Sequence, residues 1–250
     1  VENLEPGRVT RASGWRKIAT MPGNTSTRQA PATSSGWFES PLAQALMAEA
    51  LRQASPVIAR VYGRWAVHLR PSEGSSCALT GHRANRLLSL ARSGDRLSGD
   101  VECRDDALPV ADGSVALIVA QHVLETSDQP EQLIASLARV LEPEGTLMIL
   151  LLNPLGPARL RWRGCGLRPP GAATVRQWLQ DHDLQVDSCS GLGPLWSPPK
   201  AVDPEPSARR RYLERFLFAR LVIARKHQAG LIPIRPGRRA LRLGSGVQAG

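Results

Sequence analysis

Hydrophobic residues show no periodicity before about residue 37. Residues 1–36 are rich in Gly, Ser, Thr, Pro and Arg, a composition that cannot bury enough apolar surface to fold, and are expected to form a disordered extension. Order is expected to start at "SPLAQALMAEALRQ". There Ser40 suits an N-cap, Pro41 suits a first helical turn, and Leu42, Leu46, Met47, Ala50 and Leu51 recur at helical spacing. Next come a short β-like run, "RWAVHL" at 64–69, the loop "RPSEGSS", and a helix expected around "RANRLLSLAR". The stretch "DRLSGDVECRDD" is ambiguous and is read with a strand near Val101.

The pattern then sharpens. "SVALIVA" (114–120) is an apolar run of strand length. In "QPEQLIASLARVL", Leu133, Ile134, Leu137, Val140 and Leu141 share one helical face, and Pro130 stands near the start. "EPEGTLMILLLN" supplies a helix stop at Gly145 and a second unbroken apolar strand, Thr146 to Leu152, as expected where helices cover both faces of a parallel sheet. Residues 114–152 therefore read as one βαβ unit. A helix at 174–182, a strand "LQVDSCS", a proline-rich loop "GPLWSPPKAVDPEP", a helix near "RRRYLERFL" and a last strand "ARLVIARK" follow. Beyond residue 228 the chain is rich in Gly and Arg. This gives a disordered extension (1–36), one folded domain (37–228) and a basic disordered tail (229–250).

Length and composition narrow the picture. With 250 residues, 42% of them hydrophobic, the chain can build one sizeable core, and no apolar run approaches the roughly 20 residues of a membrane span. Arg11, Arg16 and Lys17 are not followed by an apolar block, so the N-terminus does not read as a secretory signal and the expected compartment is the cytoplasm. The chain opens on Val1, with Met21 as an alternative start. Cys77, Cys103, Cys165 and Cys189 contain no C-x-x-C pair and are expected to be free thiols, and the five histidines show no metal spacing. Charge is uneven. Residues 101–155 hold nine acids and two arginines, whereas residues 207–250 hold eleven bases and one acid. The basic end is either a solvated tail or a contact for nucleic acid, and the absence of aromatics after residue 228 favours the solvated tail.

In an open α/β sheet, ligands bind beyond the carboxyl ends of the strands. The positions to watch are therefore Arg70 to Ser75, Asp105 to Ala107, Gln121, His122 and Glu125, and Asn153 and Pro154. Asp106 could accept a hydrogen bond from a ligand donor, with Leu108 as an apolar cover beside it, or could, like Asp112, cap a turn. His122 could act as a base near neutral pH or be a packing residue. Glu125 could hydrogen-bond a ligand or cap the next helix, with the cap preferred, and Trp196 either lines a pocket or anchors its loop. No dinucleotide, P-loop or nucleophile-elbow motif is present.

The stretch "DALPVADGSVALIVAQHVLETSDQPEQLIASLARVLEPEGTLMILLLNP" resembles the central part of type 11 class I S-adenosylmethionine-dependent methyltransferases, and "ARLVIARK" is similar to that family's last antiparallel strand. The resemblance implies a Rossmann-like α/β fold: a mostly parallel sheet with a terminal antiparallel strand and helices on both faces. It also implies S-adenosylmethionine as cofactor and methyl transfer to an unidentified acceptor. By the resemblance Asp106 stands where the family's carboxylate accepts from the adenine amino group, with the Ala107 amide beside it; Leu69, Gly74, Leu108, Gln121 and His122 are the other expected cofactor-binding positions, His122 is the catalytic candidate, and no metal is expected. Three features depart from the family pattern, one of them the lack of a clear acid ending a second strand to hold the ribose hydroxyls. Gly74 is the lone glycine in "HLRPSEGSS", where the family carries a glycine-rich loop, and Ala116 stands where an acid is usual. The altered loop keeps a second class in view, a catalytically degenerate binding module whose basic tail contacts nucleic acid.

Overall fold

A computed structural model describes residues 36–75, 78–193 and 216–227. The expected extension before Gly36, the alternative start Met21, Trp196 with most of its proline-rich loop, the greater part of the helix expected at 209–217, and the tail all lie outside the described residues. Seven strands form one sheet in the order β3-β2-β1-β4-β5-β7-β6. They are β1 (Tyr62–Arg70), β2 (Arg83–Ser93), β3 (Arg96–Gly99), β4 (Val115–Gln121), β5 (Leu141–Leu152), β6 (Leu184–Leu192) and β7 (Ala219–Lys226). Strands β2, β1, β4 and β5 pair in parallel, whereas β3 and β7 each run antiparallel to their neighbours. This is the Rossmann-like fold with a terminal antiparallel strand that the sequence implied.

Helices cover both faces. Ser40 caps α1 (Pro41–Ile58), its Oγ accepting from Ala43 N at 3.3 Å. The stripe Ala43, Leu46, Met47, Ala50, Ala54 and Ile58 buries against Ala66, Leu117, Val119, Met148 and Leu150. On the other face, Leu133, Ile134 and Leu137 of α2 (Pro130–Val140) and Val175 and Leu179 of α4 (Ala172–Asp181) pack on Val67, Leu69, Ile118 and Ala120. A short turn of helix, α3 (Arg159–Trp162), joins the α1 side through Trp162. Among the described residues no helix is long and apolar enough to cross a membrane, and Cys103, Cys165 and Cys189 are free.

Three local readings are corrected. "RANRLLSLAR" is not a helix but β2, paired in parallel with β1 from Tyr62↔Arg83 to Arg70↔Ala91. Its Leu, Ala and Arg favour helices by only tenths of a kcal/mol per residue, and sheet pairing with burial of Leu90 and Ala91 outweighs that. The strand expected near Val101 lies earlier, at Arg96–Gly99, and closes a hairpin with β2 through Gly94 at φ 61° and Asp95; Cys103 only bridges to Leu97. Finally, α2 ends at Val140 and β5 starts at once, so Gly145 lies within the strand. There Glu144 takes φ 62°, and a Cβ on Gly145 would stand 2.8 Å from the Glu142 carbonyl oxygen.

The Ala116 departure from the family pattern also has a packing partner. A Cβ added to Gly63 would lie 2.1 Å from the Ala116 Cβ, so β1 and β4 come together through a glycine and an alanine. Gly63→Ala should therefore cost about 1 to 3 kcal/mol by overpacking. Ala116→Gly in the same chain should return most of that loss. Urea unfolding of the two single variants and the double variant tests this, and additive losses would show that the two positions do not share one space.

Candidate functional site

The carboxyl ends of β1, β4 and β5 form one edge, with Leu69 level with Ala120 and Gln121 level with Leu150. The loop leaving β1 is held from several directions. Arg70 Nη1 donates to the Ser75 carbonyl at 2.7 Å, and Gln44 Nε2 donates to the Gly74 carbonyl at 3.0 Å and to the Glu39 carbonyl at 3.1 Å. Ser72 Oγ donates to the Glu39 carboxylate, and Ser98 Oγ of β3 donates to Glu73 at 2.5 Å. The Ser98 hydroxyl, and after it that of Ser93, holds the Glu73 carboxyl below its ordinary value. Gly74 faces Glu39, whose side-chain carbons stand 2.9 Å from where a Cβ would be.

At the exit of β4, His122 takes the left-handed conformation at φ 52° and is fully buried. Its ring lies between Phe38, stacked at 5.5 Å, and Phe218, tilted at 5.8 Å, and Trp37 stacks on Phe218 at 6.3 Å. His122 Nδ1 meets Glu125 Oε1 at 3.1 Å, and the same oxygen accepts from Leu152 N at 2.5 Å. Glu125 therefore ties the ends of β4 and β5 together and is not the cap of α2. The residue that precedes that helix, Gln129, makes no side-chain cap. One turn back, His68 Nε2 donates to Gln121 Oε1 at 3.3 Å, and Gln121 Nε2 donates to the Met47 carbonyl at 3.4 Å. Burial holds the His68 pKa down to about 4.

The third contribution comes from the chain between β3 and β4. Arg92, near the end of β2, donates through both terminal nitrogens to Asp105, at 2.7 and 2.9 Å, and Ser127 Oγ donates to the same carboxylate at 2.5 Å. This buried fork fixes Asp105 and turns its neighbour outward. Asp106 is exposed and meets only Arg104, at 3.3 Å, in a solvent-exposed pair of little strength. Ala107 N closes a turn on the Arg104 carbonyl, and the Leu108 carbonyl accepts from Arg139 at 2.8 Å. Asp112 pairs with Arg139.

Of the positions singled out in the sequence, Gly74, Asp106 and Ala107 are exposed around this edge. The side chains of Leu69, Leu108, Gln121 and His122 are buried, the leucines in the core, Gln121 between His68 and Met47, and His122 under the aromatics. The sequence reading did not identify Glu39, Gln44, Phe38, Phe218 or the Arg92 to Asp105 pair. Only the apolar "GWF" ahead of Ser40 hinted at the first group, and nothing local joins Arg92 to Asp105.

Several buried polar atoms at this edge are left for a polar ligand to meet. Arg70 Nε, Ser75 Oγ, His122 Nε2 and Glu125 Oε2 are buried with no partner. An unsatisfied buried polar atom costs about 1 to 3 kcal/mol, so a polar ligand reaching them would be favoured. Glu39 places a carboxylate against the bare face of Gly74, and Asp106, paired with the exposed Arg104, presents a carboxylate at the surface.

Comparison with known proteins gives this edge a context. Residues 75–149 match the family model described as a methyltransferase domain, type 11. Over 83 residues the chain is 32% identical to a malonyl-[acyl-carrier protein] O-methyltransferase of Laribacter hongkongensis, a match covering 33% of this chain and 27% of that protein. The chain thus spans about a quarter of the length of this curated relative. Among solved structures, a SAM-dependent methyltransferase from Aquifex aeolicus aligns with a TM-score of 0.50 at 12% identity, over 77% of this chain and 96% of that one. One from Mesorhizobium loti aligns at 0.47 and 19%, over 71% and 97%. The likeness to the Aquifex structure is one of fold.

The buried His68 makes a pH dependence that can be measured. Its folded pKa lies below the ordinary 6.5, so between about pH 4 and 6.5 the unfolded chain binds more protons and stability falls as pH falls. The loss should begin near pH 6.5, reach on the order of 3 kcal/mol near pH 4, and stay level below it. His68→Gln should flatten that part of the profile in urea unfolding, and an unchanged slope would show that His68 is not its source.

Proposed function

We propose that this chain, which carries the type 11 methyltransferase domain over residues 75–149, is a cytoplasmic enzyme that transfers the methyl group of S-adenosylmethionine to an unidentified acceptor. The observation that carries the reading is the coincidence of two results. The family match covers β2 to β5, and four buried polar atoms with no partner among the described residues, Arg70 Nε, Ser75 Oγ, His122 Nε2 and Glu125 Oε2, lie at the carboxyl edge of that sheet. When bound, S-adenosylmethionine supplies a methyl group already activated by the sulfonium, so the protein's main task is alignment.

In this reading Asp106 accepts from the adenine amino group, and the Arg92 fork on Asp105 holds the loop that presents it. The Glu39 carboxylate beside Gly74 accepts from the ammonium of the amino-acid end. His122 is the base. Its Nδ1–H donates to Glu125, which leaves the lone pair on Nε2 free to take a proton from the acceptor. Phe38 and Phe218 exclude water from that ring, and the turn that carries Trp37 and Phe38 must shift for an acceptor to reach it. Glu125 is a positioning residue in this scheme.

Calorimetric titration with S-adenosylmethionine and S-adenosylhomocysteine tests the reading. The full chain should bind both saturably, and Asp106→Ala should weaken both by about tenfold or more, the value of one charge-assisted hydrogen bond. No binding up to millimolar ligand would favour a degenerate binding module in place of an enzyme.

The base assignment has a separate test. His122→Asn should lower turnover far more than cofactor affinity. Glu125→Gln should leave cofactor affinity intact and shift the pH profile of turnover. Equal losses of turnover and affinity in His122→Asn would make His122 a structural residue.

A further inference from the structure

The opposite end of the sheet carries an unusual surface. Between Ala50 and Gly94 the chain has seven arginines and one acid, Glu73. Four of the arginines, Arg60, Arg64, Arg83 and Arg86, are exposed at the amino ends of β1 and β2 or in the turn just before β1. Among the described residues none of the four joins an ion pair. Among the described residues the β1-to-β2 connection forms no helix, and Arg83, Asn85 and Arg86 are all exposed.

Tyr62 stands at the centre and is 65% exposed. Arg83, its partner in register, lies over the ring at 5.0 Å from the centroid. Side chains alternate along a strand, so Arg64 shares the face of Tyr62, and Asn85, level with Arg64 on β2, shares that of Arg83. On the other face Arg86 stacks over Trp65 at 5.3 Å in the same way. A guanidinium placed over an aromatic ring and in no ion pair keeps its nitrogens available for a phosphate contact, and the open part of a tyrosine ring is a surface on which a base can stack.

We propose that the Tyr62 face, with Arg60, Arg64, Arg83 and Asn85, is a docking surface for single-stranded nucleic acid. The arginines take backbone phosphates, Tyr62 takes one base, and Asn85 offers a hydrogen-bonding amide beside it. An acidic protein would match the charge but would not need a stacking platform. The surface lies about 26 Å along β1 from the carboxyl edge, by strand rise, so it anchors a polymer away from the methyl-transfer site. It stands whether or not that edge binds S-adenosylmethionine, and none of its residues belongs to the basic stretch 229–250 of the sequence.

The test is fluorescence anisotropy of the full chain with a labelled 20-nucleotide oligouridylate over a series of salt concentrations, with poly-glutamate as competitor. Affinity should fall steeply with salt. The triple variant R60A/R64A/R83A should bind at least tenfold more weakly, with a log–log salt slope shallower by about 2, or about 0.7 per phosphate contact. Tyr62→Ala should lose about fivefold or more, and Tyr62→Phe, which keeps the ring, should bind like wild type. All these side chains are exposed, and far-ultraviolet circular dichroism verifies that each variant is folded. Three results would overturn the proposal. They are no binding at low salt, a loss produced only by deleting residues 229–250, or displacement by poly-glutamate as effective as by unlabelled oligouridylate, which would indicate an acidic protein partner.

Discussion

Every residue of β4 from Val115 to Gln121 is buried, and this one constraint organises the molecule. A strand with no polar face must be covered on both sides, so α1 is drawn to one face and α2 and α4 to the other. Its edges must also be paired, and β1 and β5 flank it in parallel. The Gly63 and Ala116 pair allows β1 to approach, and the left-handed His122 ends the strand where its partners end. The carboxyl edge is thus a consequence of core packing. Loops that leave it can vary in sequence as long as the strands beneath them hold.

That freedom explains how one glycine stands where the related family carries several. Glu39 and Gln44, from the segment ahead of α1 and its first turns, grip the β1 loop by hydrogen bonds, and Ser98 grips it from β3. The loop's shape is set by tertiary contacts and not by glycine freedom. The Arg92 fork plays the same part for the next loop. A buried bidentate pair contributes little net stability, but losing one partner would leave a buried charge, so the arrangement tolerates few alternatives and fixes where Asp106 lies. Aromatic residues from two distant parts of the chain, Phe38 and Phe218, then close over His122.

How much was legible follows from where the information lies. The βαβ unit was visible because β4 and β5 are unbroken apolar runs and α2 has a clean stripe, signals that are local and periodic. The antiparallel β7 was visible by its resemblance. Strand β2 was not, since its Leu, Ala and Arg content mimics a helix and only its pairing with β1 makes it a strand. The "SGDR" turn after it was the overlooked sign of a hairpin. Asp106 could be read as an exposed loop acid, but the Arg92 to Asp105 pair spans 13 positions and the Glu39 to Ser72 contact 33, with nothing in the intervening sequence to announce them. Glu125 was misread as a cap because an acid just before a helix is a local cue, whereas its real partners, His122 and Leu152 N, are set by the sheet.

The central claim is that the carboxyl edge of the sheet is the ligand site, built by three loops that share no sequence neighbourhood. Amide hydrogen exchange of the full chain, with and without saturating S-adenosylhomocysteine, tests this most directly. The account predicts slowed exchange confined to residues 71–75, 104–108 and 121–125. Unchanged exchange in all three segments, or protection confined to the amino ends of β1 and β2, would contradict it.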